Sequence, residues 1–169
     1  VELAAVNALG EREFVERLGG VFERSPWVAR RVWLKRPFRS LDALHAAMMQ
    51  AVAEATKEEQ LALVRAHPEL AGAEAKQAVL TVDSSSEQGR LGFLQLTREQ
   101  FEAMERLNRR YRERHGFPCI VALRLHATRD SVLAEISRRT ESESQAELRV
   151  ALEQIGHITR GRLERIIDG

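Results

Sequence analysis

Between His67 and Phe93 the chain gathers residue types that do chemistry rather than build a core. His67-Pro68-Glu69-Leu70-Ala71-Gly72 offers an imidazole and a carboxylate, and Ser84-Ser85-Ser86-Glu87-Gln88-Gly89 offers hydroxyls, a second carboxylate and an amide. Proline disfavours the α region for the residue before it, so His67 is expected to leave a helix in an extended conformation. The negative end of the helix dipole favours an imidazolium there, the form that donates a proton near neutrality. The bland alternative is a histidine that only hydrogen-bonds the last helix carbonyls. For Glu87, the functional reading is a small polar pocket in which Ser84, Ser85, Ser86 and the Gln88 amide meet a substrate rich in carbonyls and amides. The competing reading is a short helix capped by serines, with Glu87 and Gln88 in its first turn. From Asp83 to Arg90 neither the helical nor the strand period of apolar residues is present, so this stretch reads as a loop.

Other candidates are weaker. Cys119 stands near His115 and His126 in sequence, but Phe117, Pro118, Ile120 and Val121 surround it, and a reactive thiol needs an electropositive, partly exposed setting. It reads as a small buried hydrophobe. Histidines 45, 67, 115, 126 and 157 make no metal-ligand pair at helical spacing, and no glycine motif for phosphate is present. Arg106, Arg109, Arg110, Arg112 and Arg114 are interleaved with Glu102, Glu105 and Glu113, which suits a solvated helix face. The functional alternative is a helical binding module for an acidic partner or nucleic acid. Arg160 and Arg162 read either as an anion contact or as surface arginines in the last helical turns.

The elements that must position these residues are helices. Helix starts are expected at Glu11 (ending at Gly19-Gly20), at Ser25-Pro26, after Ser40, at the Thr56/Glu59 capping box, at the Thr97/Gln100 capping box and at Thr128 or Asp130. The last and longest helix covers about Ser144 to Ile167, with Leu148, Leu152, Ile155, Leu163 and Ile166 at helical spacing. Pro68 and Gly116 act as stops. Gly116 to Leu123 is a short apolar run, a lone strand or an extended buried segment. One such run builds no sheet, so the expected class is all-α, a single multi-helix domain over residues 1–169.

The bulk properties narrow the function classes. At 169 residues and 44% hydrophobic the chain is large enough for one self-sufficient core. A formal charge of +1 gives no strong field toward nucleic acid or membrane, and 5% aromatics argues against a base-stacking platform. One cysteine suits a reducing compartment. No apolar run spans a bilayer, the N-terminus lacks a signal-peptide layout, and Ile167-Asp168-Gly169 is not a peroxisomal address, so a cytoplasmic protein is expected.

Taken in order, the motifs resemble the 2-oxo-4-hydroxy-4-carboxy-5-ureidoimidazoline (OHCU) decarboxylase family. The likeness runs through Gly19-Gly20-Val21-Phe22-Glu23 with Ser25-Pro26-Trp27-Val28, Arg36-Pro37-Phe38, the 67–72 and 84–89 motifs, Leu107 to Arg112, His115 to Pro118, and Arg160 to Leu163. It departs at Cys119, where phenylalanine is common, and at His115, where an aromatic is common. The resemblance implies an all-α, cofactor-independent enzyme, commonly a homodimer, that converts OHCU to (S)-allantoin in urate breakdown. It implies His67 as catalytic acid with Glu87 at the reacting centre. Pro68, Ser84, Ser85, Ser86, Gln88, the backbone of Cys119, Ile120, Val121, Ala122 and Leu123, and Arg162 would bind substrate. No metal, nucleic acid or membrane is implied.

Overall fold

Several helix starts follow a hydroxyl that caps the first turn. A computed structural model describes residues 1–72, Ala75 and 80–168, and among these the secondary structure is helical, with a single isolated bridge between Glu2 and Asp168. The helices are α1 (Leu3–Ala8), α2 (Glu11–Leu18), α3 (Trp27–Trp33), α4 (Leu41–Ala53), α5 (Lys57–Ala66), α6 (Val82–Arg90), α7 (Arg98–His115), α8 (Arg129–Thr140) and α9 (Ser144–Ile166), with a 3-10 turn at Leu123–Leu125. The class is all-α, as the sequence leads one to expect.

The caps account for the boundaries. Ser40 Oγ accepts from Ala43 N–H at 3.0 Å, and Thr128 Oγ1 accepts from Ser131 N–H at 3.2 Å. Thr56 and Glu59 exchange both bonds of a capping box, as do Thr97 and Gln100. The second start differs from expectation: Ser25 Oγ donates to the Glu23 carbonyl instead of capping, and Pro26 precedes the first helical residue. Gly116 closes α7 at φ +80°, where a side chain would be strained. The apolar run after it forms neither helix nor strand before the 3-10 turn at Leu123, which Ala122 enters in an extended conformation.

The chain divides into two units, Val1–Ala66 with Gly156–Gly169, and His67–Ile155; α9 contributes to both. In the first unit Val6, Phe14, Leu18, Phe22, Val28, Val32, Leu44, Met48, Val52 and Leu63 are buried. Asn7 ties α1 to the loop before α4 by exchanging two 2.8 Å bonds with the Phe38 backbone. In the second unit Met104, Tyr111, Phe117, Ile120, Val132, Ile136 and Ala151 are buried.

Arg162 corrects the reading of a surface arginine. It is 1% exposed, and its Nη1 donates to Glu23 Oε2 at 2.8 Å and to the Val21 carbonyl at 3.3 Å. Glu23 is 2% exposed. A buried carboxylate stripped of its cation costs several kcal/mol, whereas an apolar pair of like volume is often tolerated. Truncating Arg162 therefore does not leave folding intact. Arg162→Ala is expected to lower unfolding free energy by about 3–5 kcal/mol, and Arg162→Met with Glu23→Leu to recover most of it. Urea denaturation of the three proteins checks this, and an unchanged midpoint for Arg162→Ala would refute it.

Candidate active site

The second unit brings most of the sequence-derived candidates onto one turn, one helix and one extended segment. Helix α5 ends at Ala66, so His67 leaves it where Pro68 demands. His67 is 7% exposed, and Pro68, Leu70 and Ala71 are buried with it. Such a turn has buried backbone groups with no helix or sheet to pair them. Side-chain amides do that work. Gln88 Oε1 accepts from Ala71 N–H at 2.9 Å, Gln88 Nε2 donates to the Glu69 carbonyl at 3.2 Å, and Asn108 Nδ2 donates to the Leu70 carbonyl at 2.9 Å. Ala71 sits at φ +50°, a left-handed conformation that alanine holds only when neighbours impose it. Arg112 of α7 ion-pairs with Glu69.

The 83–90 stretch is helix α6, not the loop its composition suggests. Thr81, rather than the serines, is the cap, its Oγ1 accepting from Ser84 N–H at 3.3 Å. Ser84 and Gln88, one turn apart, are each 3% exposed and form the buried face; Glu87 and Ser85 are half-buried and Ser86 is exposed. Gln88 thus joins the His67 turn to the helix that carries Glu87, one residue away. Its amide is committed to the turn backbone.

The 119–123 segment is buried throughout and held by side chains from three helices. Arg139 Nη1 of α8 donates to the Ile120 carbonyl at 2.6 Å. Ala122 N–H donates to Gln154 Oε1 of α9 at 2.8 Å. Arg90 of α6 donates to the Leu123 carbonyl, and to that of His126 at 2.8 Å. Arg139 Nε is paired with Glu147 Oε1 at 2.8 Å, and Tyr111 Oη donates to the same oxygen at 2.5 Å. Among the described residues, the N–H and C=O of Val121 have no partner within the chain.

Cys119 lies beside this network, 5% exposed, and burial pushes its thiol up to about 12, with Glu147 and Glu135 acting in the same direction against Arg139. The flanking histidines do not serve it. His115 Nδ1 meets Ser144 Oγ at 2.7 Å and its Nε2 meets the Arg139 carbonyl at 3.1 Å, while His126 Nδ1 meets Ser131 Oγ at 2.8 Å. The basic face of α7 is also engaged: Arg109 with Glu105, Arg110 with Glu141, Arg112 with Glu69, and Arg114 with the Ser142 carbonyl. That arrangement does not favour a polyanion surface. Among the described residues no three His, Cys, Asp or Glu side chains gather to hold a metal ion, and no helix is long and apolar enough to cross a membrane.

Fold and site together define an all-α protein with acid–base side chains on a turn and the helix braced against it. Residues 7–164 match the family model described as OHCU decarboxylase. The chain is 40% identical over 161 residues to 2-oxo-4-hydroxy-4-carboxy-5-ureidoimidazoline decarboxylase of Haloferax volcanii, across 95% of this chain and 93% of that protein. A crystal structure of (S)-allantoin synthase superposes with a TM-score of 0.79 at 30% identity, over 99% of this chain, which spans 55% of that one. A crystal structure of OHCU decarboxylase in the presence of (S)-allantoin shares the fold, with a TM-score of 0.68 at 20% identity over 92% of this chain and 97% of that one. This chain belongs to the OHCU decarboxylase family.

Sequence reasoning did not single out Arg139, Glu147, Gln154, Asn108 or Thr81. Only Thr81 carried a usable local signal, a hydroxyl three residues before Ser84. The raised thiol pKa of Cys119 gives a pH signature. An unfolded thiol ionises near 9.0 and the native one near 12, so between these values the native state binds the extra proton. The thiol's contribution is complete below pH 9 and falls as pH rises, by about 1.4 kcal/mol per pH unit at the steepest. Wild type is expected to lose stability relative to Cys119→Ala between pH 9 and 11, read as the difference in denaturation midpoints. A constant difference would place the thiol in water.

Proposed function

We propose that this protein is a carboxy-lyase that converts OHCU to (S)-allantoin in urate breakdown. The observation that carries the reading is the Gln88 bridge, which braces the turn bearing His67 against the helix bearing Glu87 in a chain of this family. When the bond to the carboxylate breaks, CO2 leaves and its electron pair enters the ring. The neighbouring imidazoline C=N takes up electrons and a proton, so the substrate carries its own sink and the proposal calls for no cofactor. The enol so formed then gives up the proton of its 4-hydroxyl as that oxygen becomes the ring carbonyl, and the adjacent ring carbon takes up a proton on one face, which sets the S configuration. His67 delivers a proton as general acid, and Glu87 orients or exchanges protons at the same centre.

The remaining assignments follow the chemistry of the groups. Pro68 is assigned to the substrate contact beside His67. Ser84, Ser85, Ser86 and Gln88 bring polar groups along α6, and the 119–123 backbone offers amide-type partners to the ureido arm. The family motif assigns Arg162 to the substrate's anionic group, with its guanidinium already oriented by Glu23. A homodimer and a cytoplasmic setting belong to the same proposal, and sedimentation velocity tests the first.

Turnover of freshly made OHCU, followed by circular dichroism of the product after exhaustive chelation, is the direct test. Racemic product at the uncatalysed rate would refute the assignment. His67→Asn and Glu87→Gln are each expected to lower kcat by about a hundredfold or more, the scale of lost acid–base catalysis. The double variant is expected to be little worse than either single one, because groups acting as a unit are not additive. Simple multiplication of the two defects would separate their roles.

A further inference from the structure

Two consecutive peptide units flank Val121, and each is gripped from one side only. In the Ile120–Val121 unit the carbonyl accepts from Arg139 Nη1 at 2.6 Å. In the Val121–Ala122 unit the N–H donates to Gln154 Oε1 at 2.8 Å. A trans peptide is planar and its C=O and N–H point in opposite directions, so fixing one atom aims the other. The atoms left over are the Val121 N–H and the Val121 C=O, which have no partner in the chain among the described residues. Val121 is only 4% exposed, and buried backbone polar groups are normally paired. One residue therefore presents a donor and an acceptor whose directions are set by two side chains from outside the segment.

We infer that Gln154 and Arg139 are positioning residues, orienting the peptide units around Val121 so that its N–H and C=O meet an amide-type donor and acceptor on the ligand. The inference rests on the proposed contact between the 119–123 backbone and the ureido arm of OHCU, and names what aims that contact. Arg139 is suited to the task because its guanidinium is itself immobilised: Nε is held by Glu147, and the group is 4% exposed. Gln154 is the more informative residue to change, being half-buried and carrying no charge that would be left unpaired.

Gln154→Leu keeps the volume and removes the acceptor, and Gln154→Glu restores an acceptor. With OHCU as substrate, Gln154→Leu is expected to raise KM by about tenfold at nearly unchanged kcat, the pattern of lost uniform binding. Gln154→Glu is expected to bring KM back toward wild type. Titration calorimetry with (S)-allantoin is expected to show the same rise in Kd for the leucine variant and the same rescue. Arg139→Lys, run in parallel, is expected to raise KM as well. A Gln154→Leu protein with a lower Tm but wild-type KM and Kd would overturn the inference while leaving the decarboxylase reading intact. A wild-type protein that neither turns over OHCU nor binds allantoin would remove the reading and the inference with it.

Discussion

The candidate site depends on one constraint: a turn that leaves the helical ladder and stays buried must find partners for its own backbone. Pro68 forces the exit after Ala66, and the following residues are packed away from water. An unpaired buried peptide group costs about 1–3 kcal/mol, comparable to a large share of a domain's net stability. Gln88 answers two of these groups and Asn108 a third. An amide is the natural choice, since it carries a donor and an acceptor on one rigid plane. The same bonds hold the 69–71 backbone, with Ala71 in its left-handed conformation, against α6 and α7. One side chain therefore meets the structural need of the turn that carries His67, the proton donor of the proposed reaction.

Buried charge plays a parallel part. Each unit encloses an arginine–glutamate pair, Arg162 with Glu23 in one and Arg139 with Glu147 in the other. Burying ions is costly, and such pairs are weak contributors to net stability. What they provide is direction. Arg139 has its Nε on Glu147 and its Nη1 on the Ile120 carbonyl, with Tyr111 Oη fixing the same carboxylate oxygen. A lysine has no fork with which to span both partners. An apolar replacement would fill the space and release the peptide unit.

Much of the fold is legible in the sequence because its signals are local. The Thr56/Glu59 and Thr97/Gln100 boxes, the Ser40 cap, Pro68 and Gly116 each act within one helical turn, and each marks a real boundary. Helix α6 is the instructive exception. Its repeat is present, but Ser84 and Gln88 carry it in place of apolar residues, and the Gln88 amide is bonded to the backbone of the 69–71 turn. A search for apolar periodicity passes over it. The burial of Arg162 is hidden for a related reason: arginine is usually exposed, and the carboxylate that permits its burial lies 139 residues away in the chain. Gln154 and Arg139 are equally opaque, since a side chain bound to remote backbone leaves no trace in local spacing.

For the proposed reaction this division of labour has a physical logic. A substrate with its own electron sink asks little covalent chemistry of the protein, so rate must come from orientation, exclusion of water and delivery of a proton to one face. Orientation is best supplied by groups that do not reorganise as the reaction proceeds. Main-chain N–H and C=O groups meet that condition only when their peptide planes are fixed, and in an all-α fold an extended segment has no neighbouring strand to fix them. Gln154, Arg139 and Arg90 take the place of that strand, bonding to Ala122, Ile120 and Leu123 in turn. In that proposal these three side chains serve as the frame of the segment, and the segment serves as the surface that is read. In the proposed reaction His67 needs freedom enough to give up its proton; the backbone groups proposed to hold the ring do not, and burying their supports removes that freedom.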